Sequence, residues 1–170
     1  MEEPYPIKEM DRDKKEDGLM QMVGFIIGSE LFGVDILKVQ EIIREMPFTP
    51  IPNAPDFIEG VINLRGNIIP VIDLRRRLNA EKLGTPSDDI WIIILNINNR
   101  VAGFIVDSVT KVLKVPLENI EPPPDIVVSG LHSQYISGVC RIENRLLILL
   151  DFNRILQVDE IKKLRGLNDN

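Results

Sequence analysis

The 170-residue sequence contains one cysteine, one histidine and one tryptophan, and aromatic residues make up only 5% of it. A single thiol, Cys140, excludes an intramolecular disulfide. Together with His132, the one imidazole, it falls short of the roughly four nitrogen or sulfur ligands that a zinc ion takes. The sequence therefore predicts no transition-metal site and no cofactor, and its low cysteine content is typical of a reducing cytoplasm.

The chain also lacks a long apolar run and an excess of basic charge. Its longest apolar run, Ile90–Leu95, is far shorter than the roughly 20 residues of a membrane-spanning helix, and the N-terminus lacks the layout of a signal peptide. A net charge of -6 disfavours nucleic acids and anionic membranes, which attract cationic proteins. Few aromatic residues argue against a barrel that stacks single-stranded bases. We expect a cytoplasmic protein without membrane insertion or nucleic-acid partners.

Sequence motifs for catalysis are missing as well. The chain has no phosphate-binding glycine loop, dinucleotide fingerprint, nucleophile elbow or zinc-protease motif. His132 could act as a general base with Ser129, Ser133 or Cys140 as the nucleophile, which leaves a hydrolase as a remote alternative. A solvated loop histidine and a buried structural thiol explain these residues more simply. We therefore predict that the protein is not an enzyme.

The stretch Gly60–Leu74 predicts a β-hairpin. Its flanks are rich in β-branched residues, and Gly66-Asn67 is a turn dipeptide because both residues tolerate a positive φ. A two-residue loop at that dipeptide would put Pro70, which has no N–H, at a hydrogen-bonded pair. We therefore expect a four-residue loop over Arg65–Ile68, with the arginine exposed at the tip. This register pairs Leu64 with Ile69 and Ile62 with Val71 on the core face, and Asn63 with Pro70 and Val61 with Ile72 on the other.

The rest of the pattern predicts a mainly β protein with short helices. A helical turn followed by a strand is expected over 37–45, and the prolines of 47–55 indicate an extended connector. Asp73 and Asp151 are each placed to cap a short helix. Further strands are predicted over Gln21–Ile27, Leu31–Ile36, Ile90–Leu95, Val101–Asp107 and Val109–Val115.

An internal repeat divides the chain. Segments 56–61 and 67–74 match 134–139 and 145–152 at a constant shift of 78 positions, and a looser match at a shift of 70 positions covers the earlier strands. Each copy is short for an independent core, so we expect two small barrel-like subdomains that share a hydrophobic interface. The candidate interface residues are Val61, Ile72, Val139 and Leu150.

Composition and the repeat together predict the domain boundaries. Residues 1–18 hold seven acids, four bases and almost no apolar residues, which indicates a disordered acidic tail. The first subdomain is expected over 19–80 and the second over 90–158. A charged linker over 81–89 separates them, and a charged C-terminal end follows over 159–170.

The two copies differ at the hairpin tip. Arg65–Asn67 in the first copy corresponds to Glu143–Arg145 in the second, whereas the apolar positions recur. This difference indicates that the first tip has a task beyond folding. A guanidinium on a short turn suits a two-pronged contact with a carboxylate or with backbone carbonyls of a partner. A second candidate surface is the apolar set Ile36, Val39, Ile42 and Ile43, of which only part can face one core.

Two blocks carry a resemblance to a known family. Phe32-Gly-Val-Asp-Ile-Leu-Lys-Val-Gln-Glu-Ile42 and Phe57-Ile-Glu-Gly-Val-Ile-Asn-Leu-Arg-Gly-Asn-Ile-Ile-Pro-Val-Ile-Asp-Leu-Arg75 occur together at that family's spacing. The stretch from about Met22 to Gln157 resembles the CheW family of bacterial chemotaxis coupling proteins. The resemblance implies two five-stranded SH3-like β-barrels around a shared core, in agreement with the repeat.

The resemblance further implies a non-enzymatic adaptor. Members of the family link the cytoplasmic tip of chemoreceptors to the regulatory domain of the histidine kinase CheA, in arrays at the inner face of the membrane. On the matching positions, the implied kinase-binding residues are Val39, Glu41, Arg65 and Gly66. The implied receptor-binding residues, in a groove between the barrels, are Ile36, Val106 and Val112.

A second kinase contact, which closes ring-like arrays, is implied near Glu118–Ile126. Its candidate residues are Glu121 and Ile126, and Glu121 is acidic where a basic residue is expected. The same fold also occurs as the kinase's own regulatory domain and in fusions of an adaptor with a receiver domain. A module of a larger chemotaxis protein is therefore the main alternative, although the short terminal segments favour a free-standing adaptor.

Overall fold

The computed structural model describes residues 18–78, 89–123 and 133–156. The predicted tail, linker and C-terminal end lie almost entirely outside these ranges. Within them, the chain forms ten strands and a few short helices. The strands are β1 (Leu19–Ile27), β2 (Glu30–Asp35), β3 (Val39–Arg44), β4 (Ile58–Leu64), β5 (Asn67–Asp73), β6 (Trp91–Ile97), β7 (Arg100–Val106), β8 (Ser108–Pro116), β9 (Ile136–Ile142) and β10 (Arg145–Leu150). The α-helices are α1 (Leu74–Arg77) and α2 (Phe152–Leu156), and the 3₁₀ turns are η1 (Ile36–Lys38), η2 (Leu117–Asn119) and η3 (Ser133–Tyr135).

The strands form two five-stranded sheets, as the predicted fold class requires. Sheet A has the strand order β8-β1-β2-β10-β9, and sheet B has the order β3-β6-β7-β5-β4. Neighbouring strands are antiparallel except for one parallel pair in each sheet. Leu149 of β10 pairs with Gly33 of β2 in sheet A, and Val71 of β5 pairs with Gly103 of β7 in sheet B. The sheets are thus related by the internal repeat.

Each sheet takes strands from both copies of the repeat. Sheet A combines β1 and β2 with β8 to β10, and sheet B combines β3 to β5 with β6 and β7. The predicted division into subdomains over 19–80 and 90–158 is therefore wrong. The cause is two short connections, because only η1 separates β2 from β3 and only Asp107 separates β7 from β8. If β3 took the place of β8 beside β1, it would run parallel to β2, and a parallel return needs a crossover of about a dozen residues.

One backbone bridge closes each sheet into a small barrel. Beyond β3 the chain reaches Thr49, which exchanges hydrogen bonds of 2.8 and 2.9 Å with Val61 of β4. Beyond β8 it reaches Glu121, which exchanges two hydrogen bonds of 2.9 Å with Val139 of β9. In both sheets the bridge joins the two outermost strands, so neither sheet leaves its full edge unpaired.

The predicted hairpin forms, but its register differs from the prediction. The loop consists of Arg65 and Gly66 alone, with φ angles of 52° and 89°, and Leu64 pairs with Asn67. The expected four-residue loop and the pairing of Leu64 with Ile69 are therefore wrong. The true register is shifted by two residues, and a shift of two leaves the same side chains on the core face.

Pro70 is tolerated in the observed register as well. Pro70 lies opposite Val61, and the N–H and C=O of Val61 bind Thr49 on the other side of β4. Val61 and Pro70 therefore form a non-hydrogen-bonded pair, in which the missing N–H of proline has no cost. A two-residue turn that begins one residue before the predicted dipeptide therefore places Pro70 at a pair that needs no N–H.

Apolar side chains form three clusters, one within each sheet and a larger one between the sheets. The cluster between the sheets includes Phe25, Phe32, Phe104 and Phe152, and each such buried side chain contributes about 1.5–3 kcal/mol. Of the predicted interface residues, Ile72 and Leu150 belong to this central cluster and Val139 packs against it. Val61 is half-buried and does not belong to it.

The short helices begin where the sequence predicts. Asp73 Oδ1 accepts a hydrogen bond of 3.0 Å from Arg75 N at the start of α1, and Asp151 Oδ1 accepts one of 3.1 Å from Arg154 N in α2. The expected helical turn before β3 is also confirmed, with Asp35 Oδ1 accepting from Leu37 N at 3.0 Å. These aspartates act as caps.

Candidate functional site

The tip of the β4–β5 hairpin is a tight turn that holds Arg65 in a left-handed conformation. Positive φ angles at both loop residues match the twist of the two strands. Asn63 Oδ1 fixes the turn by accepting a hydrogen bond of 2.9 Å from Gly66 N. The second copy uses the same backbone, with φ angles of 46° and 67° at Glu143 and Asn144. The backbone of the turn is therefore shared, and the side chains at the tip differ between the copies.

Arg65 forms a two-pronged ion pair with Glu41 of β3. Its Nη1 donates to Glu41 Oε2 at 3.2 Å, and its Nη2 donates to Oε1. The two residues are 24 positions apart in sequence, and they meet because the closing bridge sets β3 beside β4. The hydrogen bond and the charge of Glu41 raise the pKa of Arg65. The side chains are 68% and 31% exposed, so a partner can reach both.

The other two implied kinase-binding residues differ in exposure. Gly66 is exposed in the turn, whereas the side chain of Val39 is buried in the central cluster and is not available to a partner. In a regular strand Val39 and Glu41 would point to the same face. A register shift between them breaks that alternation, so Glu41 faces solvent while Val39 faces the core.

An exposed apolar side chain, Ile68, lies on the outer face of the same hairpin. It is 63% exposed and pairs with Asn63 across the strands. It was predicted to lie in the loop, without a role, although an isoleucine next to a solvated turn indicates an exposed apolar contact. Its repeat mate, Leu146, is also exposed. We refer to Glu41, Asn63, Arg65, Gly66 and Ile68 as the tip surface.

An apolar groove of about 500 Å³ opens on sheet A, which we call the sheet A groove. Leu117 of η2 is 49% exposed at this groove, and Leu37 of η1 is similarly exposed beside the lining residue Lys38. Methionine side chains at the groove can adapt to the shape of a ligand. Prominent lining residues are Met20, Met22, Lys38, Leu117, Leu149 and Phe152.

The implied receptor-binding residues are not on this surface. Ile36 and Val106 are 2% and 1% exposed and belong to the central cluster, so a partner cannot contact their side chains in this structure. Val112 of β8 is half-buried and packs against the same cluster. The apolar character of these residues serves the core between the sheets. The exposed leucines of η1 and η2 take their place as candidates for partner contact.

The residues of the second implied contact are only partly described. Glu121 is exposed and forms the closing bridge of sheet A through its backbone, which leaves its carboxylate free to face solvent. Ile126 lies outside the described residues. His132 and Ser129 of the hydrolase alternative lie outside them too, whereas its other candidate nucleophiles, Ser133 and Cys140, lie in η3 and β9. Of the implied contact residues, the structure brings Arg65 and Glu41 together, and Ile68 is exposed on the same hairpin as Arg65.

Cys140 is buried within sheet A, as predicted for a structural thiol. Burial, with a smaller contribution from the charge of Glu121, raises the pKa of this thiol, which makes it a poorer nucleophile. No group of three or more histidine, cysteine, aspartate or glutamate side chains that could hold a metal occurs in the ranges that the structure covers. The exposed features of the described residues are a forked ion pair and apolar surface.

Comparisons with known proteins assign the chain to a family. The profile of the CheW-like domain matches residues 21–160. The chain belongs to the CheW-like domain family. It is 42% identical over 137 residues to the chemotaxis protein CheW of Klebsiella aerogenes, covering 81% of each chain. It is 37% identical over 154 residues to CheW of Treponema pallidum, covering 89% of this chain and 90% of that one.

A solved structure of the family has the same fold. The scaffolding protein TtCheW from Thermoanaerobacter tengcongensis superimposes with a TM-score of 0.75 at 36% identity, covering 83% of this chain and 90% of that one. This CheW-like domain thus shares both sequence and architecture with chemotaxis scaffolding proteins. Among the residues described, no helix is long and apolar enough to cross a membrane.

Proposed function

We propose that this CheW-like domain is a non-enzymatic adaptor of bacterial chemotaxis, which links the cytoplasmic tip of chemoreceptors to the regulatory domain of the histidine kinase CheA. The observation that carries the proposal is the exposed Arg65–Glu41 pair at the tip of sheet B. Both residues occupy positions that the family resemblance assigns to kinase binding. The adaptor would work in the cytoplasm, in receptor arrays at the inner face of the membrane.

The tip surface suits the kinase regulatory domain. Its guanidinium and carboxylate are held in a fixed relative geometry, so they can exchange hydrogen bonds with a partner without a large loss of side-chain freedom. Ile68 supplies an apolar contact beside them. Arginine is one of the residues enriched among the few that carry most of the binding energy of an interface.

The sheet A groove suits the receptor. Chemoreceptor tips are helical hairpins in the family, and a helix binds a groove through apolar side chains on one face. Methionine and leucine side chains line this groove, with Lys38 and Asp35 supplying charges. The groove is lined mainly by sheet A and shares no residue with the tip surface on sheet B, so both partners can bind one molecule at the same time.

Direct binding of the isolated partners tests each site separately. Titration calorimetry with the kinase regulatory domain should show at least about tenfold weaker binding for Arg65→Glu than for the parent. The matched control is Glu143→Lys, a charge reversal at the equivalent position of the other hairpin tip, which should bind like the parent. Titration with a receptor cytoplasmic fragment should show weaker binding for Leu117→Asp than for the parent. The control Leu146→Asp should bind the fragment like the parent. Unchanged kinase affinity in Arg65→Glu would remove the tip surface from the proposal.

A further inference from the structure

Arg77, at the end of α1, is a buried cation with an unusual set of partners. Only 6% of the residue is exposed. Its Nε donates to the carbonyl oxygen of Ile155 in α2 at 3.2 Å, and its Nη1 donates to the hydroxyl of Tyr135 in η3 at 2.8 Å. The side chain therefore crosses from sheet B, which leads into α1, to the helices that flank sheet A.

These contacts lie on the approximate two-fold axis of the repeat. Ile155 stands 78 positions after Arg77, so the guanidinium binds the residue that corresponds to its own position in the second copy. Its central carbon lies 5.0 Å from the ring centroid of Phe57 and 4.9 Å from that of Tyr135, which are also repeat mates. A residue that contacts its own repeat mate must lie at the axis that relates the copies.

The two rings are held in the same way. Asp73 N donates to the carbonyl oxygen of Phe57 at 2.7 Å, and Asp151 N donates to that of Tyr135 at 2.9 Å. Two equivalent aromatic rings therefore flank the axis, and a single cation lies between the copies. The second copy has an isoleucine at the equivalent position and forms the same strand–helix unit. The local fold thus does not require an arginine at this place.

The charge of Arg77 is only partly compensated. No salt bridge to it occurs in the part of the chain that the structure describes, and its Nη2 is buried without a hydrogen-bond partner. A buried ion with an unsatisfied donor is a poor source of stability, and an apolar side chain of similar volume often replaces such an ion without loss. Its directional hydrogen bonds are instead suited to fixing one arrangement of the groups around it.

We propose that Arg77 is a positioning residue for the sheet A groove. The first residues after β10, Asp151, Phe152 and Asn153, line that groove, and Arg77 holds the far end of the same helix through Ile155. By tying α2 and η3 to α1, it fixes one wall of the groove from sheet B. The tie is a property of the free chain and holds whichever partner occupies the groove.

Hydrogen exchange of the free protein tests the proposal. The variant is Arg77→Met, which keeps the length and apolar stem of the side chain. The amides of Asp151 and Ile155, both hydrogen-bonded in the parent, should exchange at least about tenfold faster, while amides in the centres of both sheets keep their rates. The melting temperature should stay within about 3 °C of the parent. The matched control is Arg76→Met on the same helix, whose side chain is exposed, and it should change neither quantity.

Two results would overturn the proposal. Unchanged exchange of Asp151 and Ile155 in Arg77→Met would show that the arginine positions nothing. A uniform acceleration of all amides with a lower melting temperature would show a residue that stabilises the whole fold. Tyr135→Phe gives a second test, since it removes only the acceptor of Nη1 and keeps the ring. It should accelerate the same two amides by a smaller factor, and no acceleration there would also contradict the proposal.

Discussion

Arg65 and Glu41 form an ion pair between the hairpin tip and β3, at the place where the outermost strands of sheet B meet. Because both side chains are exposed, the pair contributes little to folding. It does orient the guanidinium before a partner arrives. A side chain already held in its binding geometry loses less conformational entropy on association.

Exchanging the two charges tests whether binding depends on the position of the guanidinium or only on the presence of the ion pair. In the double variant Glu41→Arg and Arg65→Glu, the attraction between the side chains remains, so the melting temperature should stay close to that of the parent. Affinity for the kinase regulatory domain, measured by calorimetry, should nevertheless fall at least about tenfold, because the guanidinium no longer lies at the tip. Full affinity in the exchanged variant would mean that the partner needs only the pair and not its direction.

Neither half of the chain should fold alone. Residues 1–84 contain β1 to β5 and residues 85–170 contain β6 to β10, but each sheet needs strands from both halves. Short connections at η1 and Asp107 prevent either half from rearranging into a closed barrel. Circular dichroism should show each fragment unfolded and a gain of β structure when the fragments are mixed. A cooperative melting transition in one isolated fragment would contradict the strand order.

Gly60 is a position where a side chain should be costly. Its φ is 149°, and an added methyl group would overlap the backbone carbonyl of Thr49 in the closing bridge. Gly60→Ala should therefore lower the free energy of unfolding by about 2–4 kcal/mol, from strain and from loss of the bridge. Gly66→Ala is the matched control, because its surroundings are open and only its φ of 89° is unfavourable. Its cost should be about 1 kcal/mol in the same urea titration, and equal losses would argue against the clash.

Cys140 should react slowly in the folded protein. Burial raises the pKa of its thiol, so the neutral form persists to higher pH than in the unfolded chain, whose thiol ionises near pH 8.5. At pH 8 the reaction with a disulfide reagent should be at least about tenfold slower in buffer than in urea. The sign for stability follows from the same shift. The contribution of this thiol to the free energy of unfolding is present below about pH 8.5 and is lost as the pH rises above it, because the unfolded thiol ionises first.

Local features of the fold could be predicted from the sequence because they depend on neighbouring residues. Asp73 and Asp151 cap helices through their own side chains, and the β-branched flanks of the hairpin form strands as expected. The repeat correctly predicted two equivalent sheets. The exchange of strands between the copies was missed, because it depends on how far a short connection can reach in three dimensions. The length of η1 and the single residue Asp107 were the available signals.

In the candidate sites, too, only the features that depend on neighbouring residues could be predicted from the sequence. Arg65 was placed correctly at an exposed tip, because a short turn exposes its residues whatever the register. Ile36 and Val106, predicted to line a binding groove, are buried in the core, and apolar character alone does not distinguish a core residue from an interface residue. The burial of Val39 depends on a register shift in β3 that no local pattern predicts.

Recruitment of the kinase to receptor membranes tests the adaptor function most directly. Membranes that carry a chemoreceptor are mixed with the kinase and this protein, and the kinase in the pellet is measured. The parent should bring the kinase into the pellet, Arg65→Glu should sediment itself but leave the kinase in solution, and Leu117→Asp should leave both in solution. If both variants recruit the kinase as well as the parent does, the two sites do not carry the adaptor function.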